Sequence, residues 1–140
     1  MRRAFAIAGW LLLASPLAQA ACGYVDASAK PPASKDLYRV VVREVDGVKV
    51  DGGDAGRIKL DVGMHRILVQ ERIADERRGR SKLGQIKLDK DSVTRKIIEI
   101  NIQADGAYLV AAQLIEKPSA DAPADYWEPV VWRKQLVACR

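Results

Sequence analysis

Four groups of side chains in this sequence have types and spacings that could bind or react. Cys22 and Cys139 are its only thiols, and His65 is its only imidazole. Arg77, Arg78, Arg80 and Lys82 crowd the charged stretch from Glu71 to Lys82, and Trp127 and Trp132 bracket Tyr-Trp-Glu-Pro-Val-Val-Trp. For His65 to act as a base it would need an orienting carboxylate such as Asp61 and a nucleophile beside it. Neither Ser81 nor Ser92 stands in a nucleophile-elbow sequence, so His65 reads as a structural or exposed strand position. The arginines have planar forks that grip phosphate, carboxylate or anionic glycan in bidentate fashion. Glu71, Asp75 and Glu76 are interleaved with them, and the same stretch reads equally as a solvated hairpin loop. Exposed tryptophans stack on sugars or fill partner pockets. Trp127 and Trp132 are five apart, which in a strand puts them on opposite sides, one toward the core and one partly exposed. The acidic pairs Asp51/Asp54 and Asp89/Asp91 lack the ligand number and spacing of a calcium loop and read as turn residues. No catalytic residue, metal site or cofactor is expected.

The cysteines take their meaning from the N-terminus. Met1-Arg2-Arg3 is a cationic start, Ala4–Leu17 an apolar run, and Ala18-Gln19-Ala20 a small-x-small cleavage pattern. The apolar run is shorter than the roughly 20 residues that span a bilayer, so residues 1–20 read as a signal peptide and the working chain starts at Ala21. In an oxidising compartment, periplasmic or secreted, two cysteines are most simply a pair, and a Cys22–Cys139 disulfide would join the termini. A bacterial lipoprotein anchored at Cys22 is the alternative, although Gln19 stands where a lipobox has an aliphatic residue. Two unpaired thiols are a third reading.

Composition narrows the function classes. The chain has 140 residues, 49% of them apolar, enough for one domain with one core. Its formal charge is +5, but Arg2 and Arg3 belong to the leader, and without them 21 basic residues face 18 acidic ones, or +3. That balance is too even and too interspersed for nucleic acid.

Period-two patterns position these groups. Residues 21–36 contain Pro31-Pro32 and read as an extended N-terminal segment, with the fold proper, residues 37–140, beginning near Leu37. Tyr38 to Val45 is β-branched, with Tyr38, Val40 and Val42 on one face. Asp46-Gly47 predicts a type I′ turn into Val48-Lys49-Val50. Arg57–Asp61 alternates, and Gly63–Gln70 follows with His65, Ile67 and Val69 on one face and Arg66, Leu68 and Gln70 on the other. Gln85–Leu88 is a further strand candidate, and Ile97–Ile102 places Ile98, Ile100 and Ile102 together. Asp105-Gly106 predicts a hairpin between that strand and Ala107–Ile115, a segment whose Leu109, Ala112 and Leu114 could also line a helix but which reads as strand from its hairpin context and Tyr108, Val110 and Ile115. Lys117–Asp125 reads as a loop. Tyr126–Ala138 is an edge strand, because Pro129 cannot donate to a central ladder. The sum is an all-β protein, a small β-sandwich of seven or eight mostly antiparallel strands.

Val45-Asp46-Gly47, sixteen residues before Gly63-Met64-His65-Arg66-Ile67-Leu68-Val69, resembles the PEGA-type domains of bacterial envelope proteins over about residues 38–70. Those domains carry a "V-D-G" hairpin and then a "G-x-H-x-apolar-x-V" strand. Asp61-Val62-Gly63-Met64 stands near the place of the tetrapeptide that names the family. The resemblance implies an envelope β-sandwich presenting a surface to other macromolecules, and it brings no catalytic residues.

The expectation is therefore a non-enzymatic exported module that binds or braces another envelope component. Alternatives are a module for anionic glycan or peptidoglycan, using Arg77, Arg78, Arg80, Lys82, Trp127 and Trp132, and an inhibitor of a secreted hydrolase. No nucleic acid is expected as partner, and no transmembrane segment once the leader is removed.

Overall fold

Two β-sheets face each other across a single apolar core in the structure, a computed structural model that describes residues 21–53, 56–73, 95–115 and 126–140. Among these residues there are nine strands: β1 (Cys22–Asp26), β2 (Leu37–Tyr38), β3 (Val40–Val45), β4 (Val48–Lys49), β5 (Arg57–Asp61), β6 (Gly63–Glu71), β7 (Arg95–Ile102), β8 (Gly106–Leu114) and β9 (Trp127–Leu136). One sheet runs β4-β3-β6-β7. In the other, β8 has β9 along one edge and β1 and β2 along the other, and β5 lies beyond β1. Every pairing is antiparallel except that of β1 with β8. The all-β, mostly antiparallel sandwich read from the alternation is the fold observed.

The alternation fixes which residues face inward. Val40, Val42, Val45, Ile67, Val69, Ile100 and Ile102 from the four-stranded sheet meet Val25, Tyr38, Tyr108, Val110, Ala112 and Trp127 from the other. On β6, Ile67 and Val69 are fully buried while Arg66 is exposed, as the period of two requires. Val45 keeps this phase only because an irregularity between Val42 and Glu44 adds one residue to β3 opposite β6.

Three expectations about connectivity need correction. The fold begins at Cys22, not near Leu37. β1 lies between β5 and β8 with Val25 fully buried, so the extended segment contributes a central strand before Pro31-Pro32. Tyr38 to Val45 is two strands rather than one, because the chain changes sheets at Arg39: β2 joins β8 and β3 joins β6. The turn at Asp105 likewise carries the chain from β7 in one sheet to β8 in the other and closes no hairpin. The reason is burial on β8, where Gly106 to Ala112 are buried at every position, on both faces. β8 is also interior to its sheet, with β9 on one side and β1 and β2 on the other. Ala107–Ile115 is thus strand and not helix. β9 lies at the edge as its proline requires, with Pro129 opposite Ala112.

Cys22 and Cys139 are joined, with Cα atoms 5.6 Å apart. Residues 1–20, Gln85–Leu88, the acidic pair Asp89/Asp91 and the loop Lys117–Asp125 fall outside the described residues, Asp54 included.

Candidate functional site

The Asp46-Gly47 turn makes the first half of the site. Asp46 (φ 50°) and Gly47 (φ 81°) both have positive φ, the conformation a two-residue type I′ connection demands, and they join β3 to β4 with Val45 opposite Val48. An L-residue adopts this conformation at a cost, and Asp is among the few that tolerate it. Here its side chain is also used. Asp46 Oδ1 accepts the Arg66 amide at 2.9 Å, and Asp46 N–H donates to the Arg66 carbonyl at 2.8 Å, so one residue clamps the neighbouring strand twice. Asp46 Oδ2 lies 2.6 Å from His65 Nδ1, and His65 Nε2 lies 2.7 Å from the carbonyl oxygen of Asp61.

Those partners assign the protonation of His65. An ionised carboxylate and a peptide carbonyl both accept and neither donates, so the two contacts together favour the imidazolium form, in which both ring nitrogens carry hydrogen. Burial works against that charge. The hydrogen bonds to Asp46 and to the Asp61 carbonyl, with the negative charges of Asp46 and Asp61, outweigh it and raise the His65 pKa above its ordinary value. The Arg66 amide and then His65 hold the Asp46 carboxyl below its ordinary value, against a smaller opposing effect of burial. With both contacts made the ring ties the turn to the crossing at Asp61–Gly63. The sequence pointed to Asp61 as the carboxylate partner. The structure supplies Asp46, and Asp61 contributes its backbone.

The second half of the site lies on the outer face of the four-stranded sheet. Here Glu44, Asp46, Gly47, Arg66, Leu68 and Ile97 line a groove of about 400 Å³. Leu68 and Ile97 are register partners on β6 and β7 and form its apolar floor. Glu44 is opposite Leu68 from β3, and Arg66 reaches Glu99 at 3.5 Å. Ile97 is 49% exposed, and nearby Met64 is 63% exposed. Apolar side chains on the face that β6 and β7 otherwise give to Arg66, Gln70 and Glu99 were the visible sign of this groove. The pattern of Ile98, Ile100 and Ile102 on the opposite face of β7 is the stronger one.

The aromatic candidates separate as their spacing required. Trp127 is fully buried in the core, where Lys96 Nζ lies 5.3 Å from its ring centroid and donates to its carbonyl at 2.6 Å. It presents no face to a ligand, which corrects its place among the binding candidates. Trp132 is half-buried with the Arg133 guanidinium 5.0 Å above its ring. Arg77, Arg78, Arg80 and Lys82 lie outside the described residues. At the end of β6 the buried Glu71 accepts the Tyr126 hydroxyl at 2.6 Å and the Ile73 amide, a buried polar contact that the sequence had assigned to a charged loop.

The disulfide sits in a separate cluster at the Asp105 turn. Asp105 has φ 58°, its N–H donates to Cys22 O at 2.9 Å, its carbonyl accepts Val137 N–H at 2.8 Å, and its Oδ1 accepts Cys139 N–H at 2.9 Å. At the opposite end of β1, the Asp26 carboxyl is raised by burial, but hydrogen bonds from Ser28 and Arg57 and the Arg57 charge bring it net below its ordinary value. Both clusters tie chain to chain. Among the described residues no three His, Cys, Asp or Glu side chains converge as metal ligands, and no helix is long and apolar enough to cross a membrane.

Comparison of the chain with family models, with curated proteins and with solved structures finds no match.

Proposed function

We propose that this chain is a non-enzymatic, exported β-sandwich that binds or braces another component of the bacterial envelope through the outer face of its four-stranded sheet. The observation that carries this reading is the groove over Leu68 and Ile97, rimmed by Glu44, Asp46 and Arg66. An apolar floor with a charged rim of both signs fits a protein surface better than a small reacting substrate. The Asp46–His65 contact supports it from the other side, since both nitrogens of the one imidazole are occupied by acceptors. The disulfide supports an oxidising compartment such as the periplasm.

The test is site-specific photocrosslinking in the cell. A photoreactive residue at Leu68 should give one discrete adduct with an envelope component, and the same residue at Lys59, on β5 of the opposite sheet, should not. Arg66→Glu should remove the adduct while the protein stays folded. Equal adducts from both positions, or none from Leu68, would sink the reading, as would hydrolysis of ester, peptide or glycan substrates by the purified protein that His65→Ala abolishes.

A further inference from the structure

The groove over Leu68 and Ile97 is unevenly charged, and the unevenness begins in the backbone of β3. The irregularity between Val42 and Glu44 turns Glu44 to the outer face opposite Leu68, where an unbroken period of two would have sent it inward. There Glu44 is half-buried and lines the groove. The charges around it are directed elsewhere. Arg43 donates from Nε to Gln70 Oε1 at 2.8 Å. Lys49, the register partner of Glu44 on β4, is exposed and stands outside the groove lining. The Asp46 carboxylate accepts the Arg66 amide and contacts His65, and Arg66 Nε lies 3.5 Å from Glu99 Oε1 on the β7 side.

Covering the groove is therefore most demanding at Glu44. An occupant laid over Leu68 and Ile97 takes water from that carboxylate, and a carboxylate deprived of water opposes binding unless a cation pairs with it. A purely apolar occupant leaves it stranded, and an acidic one adds repulsion. Arg66 asks for the opposite charge less strongly, being 65% exposed and already beside Glu99. Its guanidinium has five donors, however, and can take a second carboxylate. The floor asks for an aliphatic group, since Ile97 is exposed and Leu68 only half-buried. We infer that the groove takes a short segment of a partner protein in which an aliphatic side chain stands between a cation and a carboxylate: the aliphatic chain on Leu68 and Ile97, the cation against Glu44 and the carboxylate against Arg66. Glu44 and Arg66 stand diagonally across β3 and β6, roughly 7–8 Å apart at the backbone. At ~3.3 Å of rise per residue, a few residues of extended chain bring both charges within reach. This partner chemistry rests on the reading of the groove as the docking face and adds to it what that face selects.

Titration of the ¹⁵N-labelled, oxidised protein with short blocked peptides tests this through the amide shifts of Gly47, Arg66, Leu68 and Ile97. The first probe carries lysine, leucine and glutamate at alternate positions separated by serine. It should move those amides and leave those of β5, on the other sheet, in place. Replacing its lysine by glutamate should weaken binding about tenfold or more, the worth of one charge-assisted contact, and replacing its leucine by serine should abolish the shifts. Glu44→Lys should reverse the preference at the lysine position and Arg66→Glu that at the glutamate position, with the amides of the buried Val42 and Ile67 showing both variants folded. Peptides that bind equally whatever their charge, a Glu44→Lys protein that keeps the wild-type preference, or a first probe that moves none of these amides would overturn the inference. In the cell, a Leu68 adduct that survives Glu44→Lys would overturn it while leaving the groove as the docking face. An absent adduct with the peptide preferences intact would remove the envelope partner and leave the selectivity of the groove standing.

Discussion

Removing the bridge between Cys22 and Cys139 gives the most quantitative test of how this sandwich is held. The bridge spans 117 positions of sequence, and in the chain-entropy relation a loop of that size takes roughly 5 kcal/mol of freedom from the unfolded chain at room temperature. A domain of this size is stable by about 5–15 kcal/mol in all, so the staple supplies a large share. An unfolding entropy near 2.1 cal/mol/K per residue over about 120 residues converts the loss to a fall in Tm of about 20 °C. The perturbation is Cys22→Ser with Cys139→Ser, because Cys22 is only 6% exposed in the folded protein and reductant would act on it slowly. Calorimetry and urea unfolding supply the readouts. The urea slope m should also rise in the variant, since an unstapled chain exposes more surface when it unfolds. Asp105 would still hold Val137 and Cys139 by hydrogen bonds, so the native spectrum should be retained below the lowered Tm. A fall in stability under about 2 kcal/mol with unchanged m would refute the reasoning, because it would show that the bridge constrains the unfolded ensemble little.

Three further outcomes follow from single residues. The folded His65 pKa is raised above the unfolded value of about 6.5, so its stabilisation is fully present below that pH and lost as pH rises through the folded pKa. The Tm of wild type should therefore fall as pH rises above about 6.5, and His65→Gln should flatten that fall. Two-bond ¹H–¹⁵N spectra should show both ring nitrogens protonated at the lower pH, and a neutral ring there would refute the imidazolium assignment. Asp46 works in the opposite sense: its carboxyl is lowered, so its contribution is present above the unfolded value of 3.8 and is lost as pH falls through the lower folded pKa. Gly23→Ala should cost about 1–3 kcal/mol in urea unfolding. An added Cβ would stand 2.7 Å from Gly106 O and 2.8 Å from Gln103 O, both backbone atoms of the turn that holds the disulfide; an unchanged midpoint would show that this turn yields readily.

The sandwich was legible because two faces of most strands differ. The inward rows Ile67–Val69 and Ile98–Ile100–Ile102 follow from a period of two that nothing in the structure contradicts. What the pattern could not give was sheet membership. Tyr38 to Val45 reads as one β-branched strand, and nothing in its pattern marks Arg39 as the place where the chain passes between sheets. β8 shows no alternation, because a strand buried on both faces has none, so strand had to be read there from turn context and β-branched and aromatic residues, with helix as the alternative. Cys22–Asp26 was hidden for a different reason: five residues with a leader before them and two prolines soon after carry too little pattern to mark a central strand.

The site was harder to read than the fold, and the turn aspartates explain why. Asp46 and Asp105 both precede glycine and both have positive φ, so each marked a turn in the sequence. What the sequence could not show was the second use of each side chain. Asp46 holds His65 and Arg66, 19 and 20 positions further along the chain, and Asp105 holds the amide of Cys139 beside the bridge. An aspartate chosen for tolerance of the left-handed region carries a carboxylate that must find donors, and in a sandwich the nearest donors belong to strands distant in sequence. Each turn thus fixes a long-range contact as well as a change of direction. Their failure modes should differ: losing the Asp46 carboxylate would release the His65 end of β6, while losing that of Asp105 would loosen the C-terminal segment on which the disulfide closes.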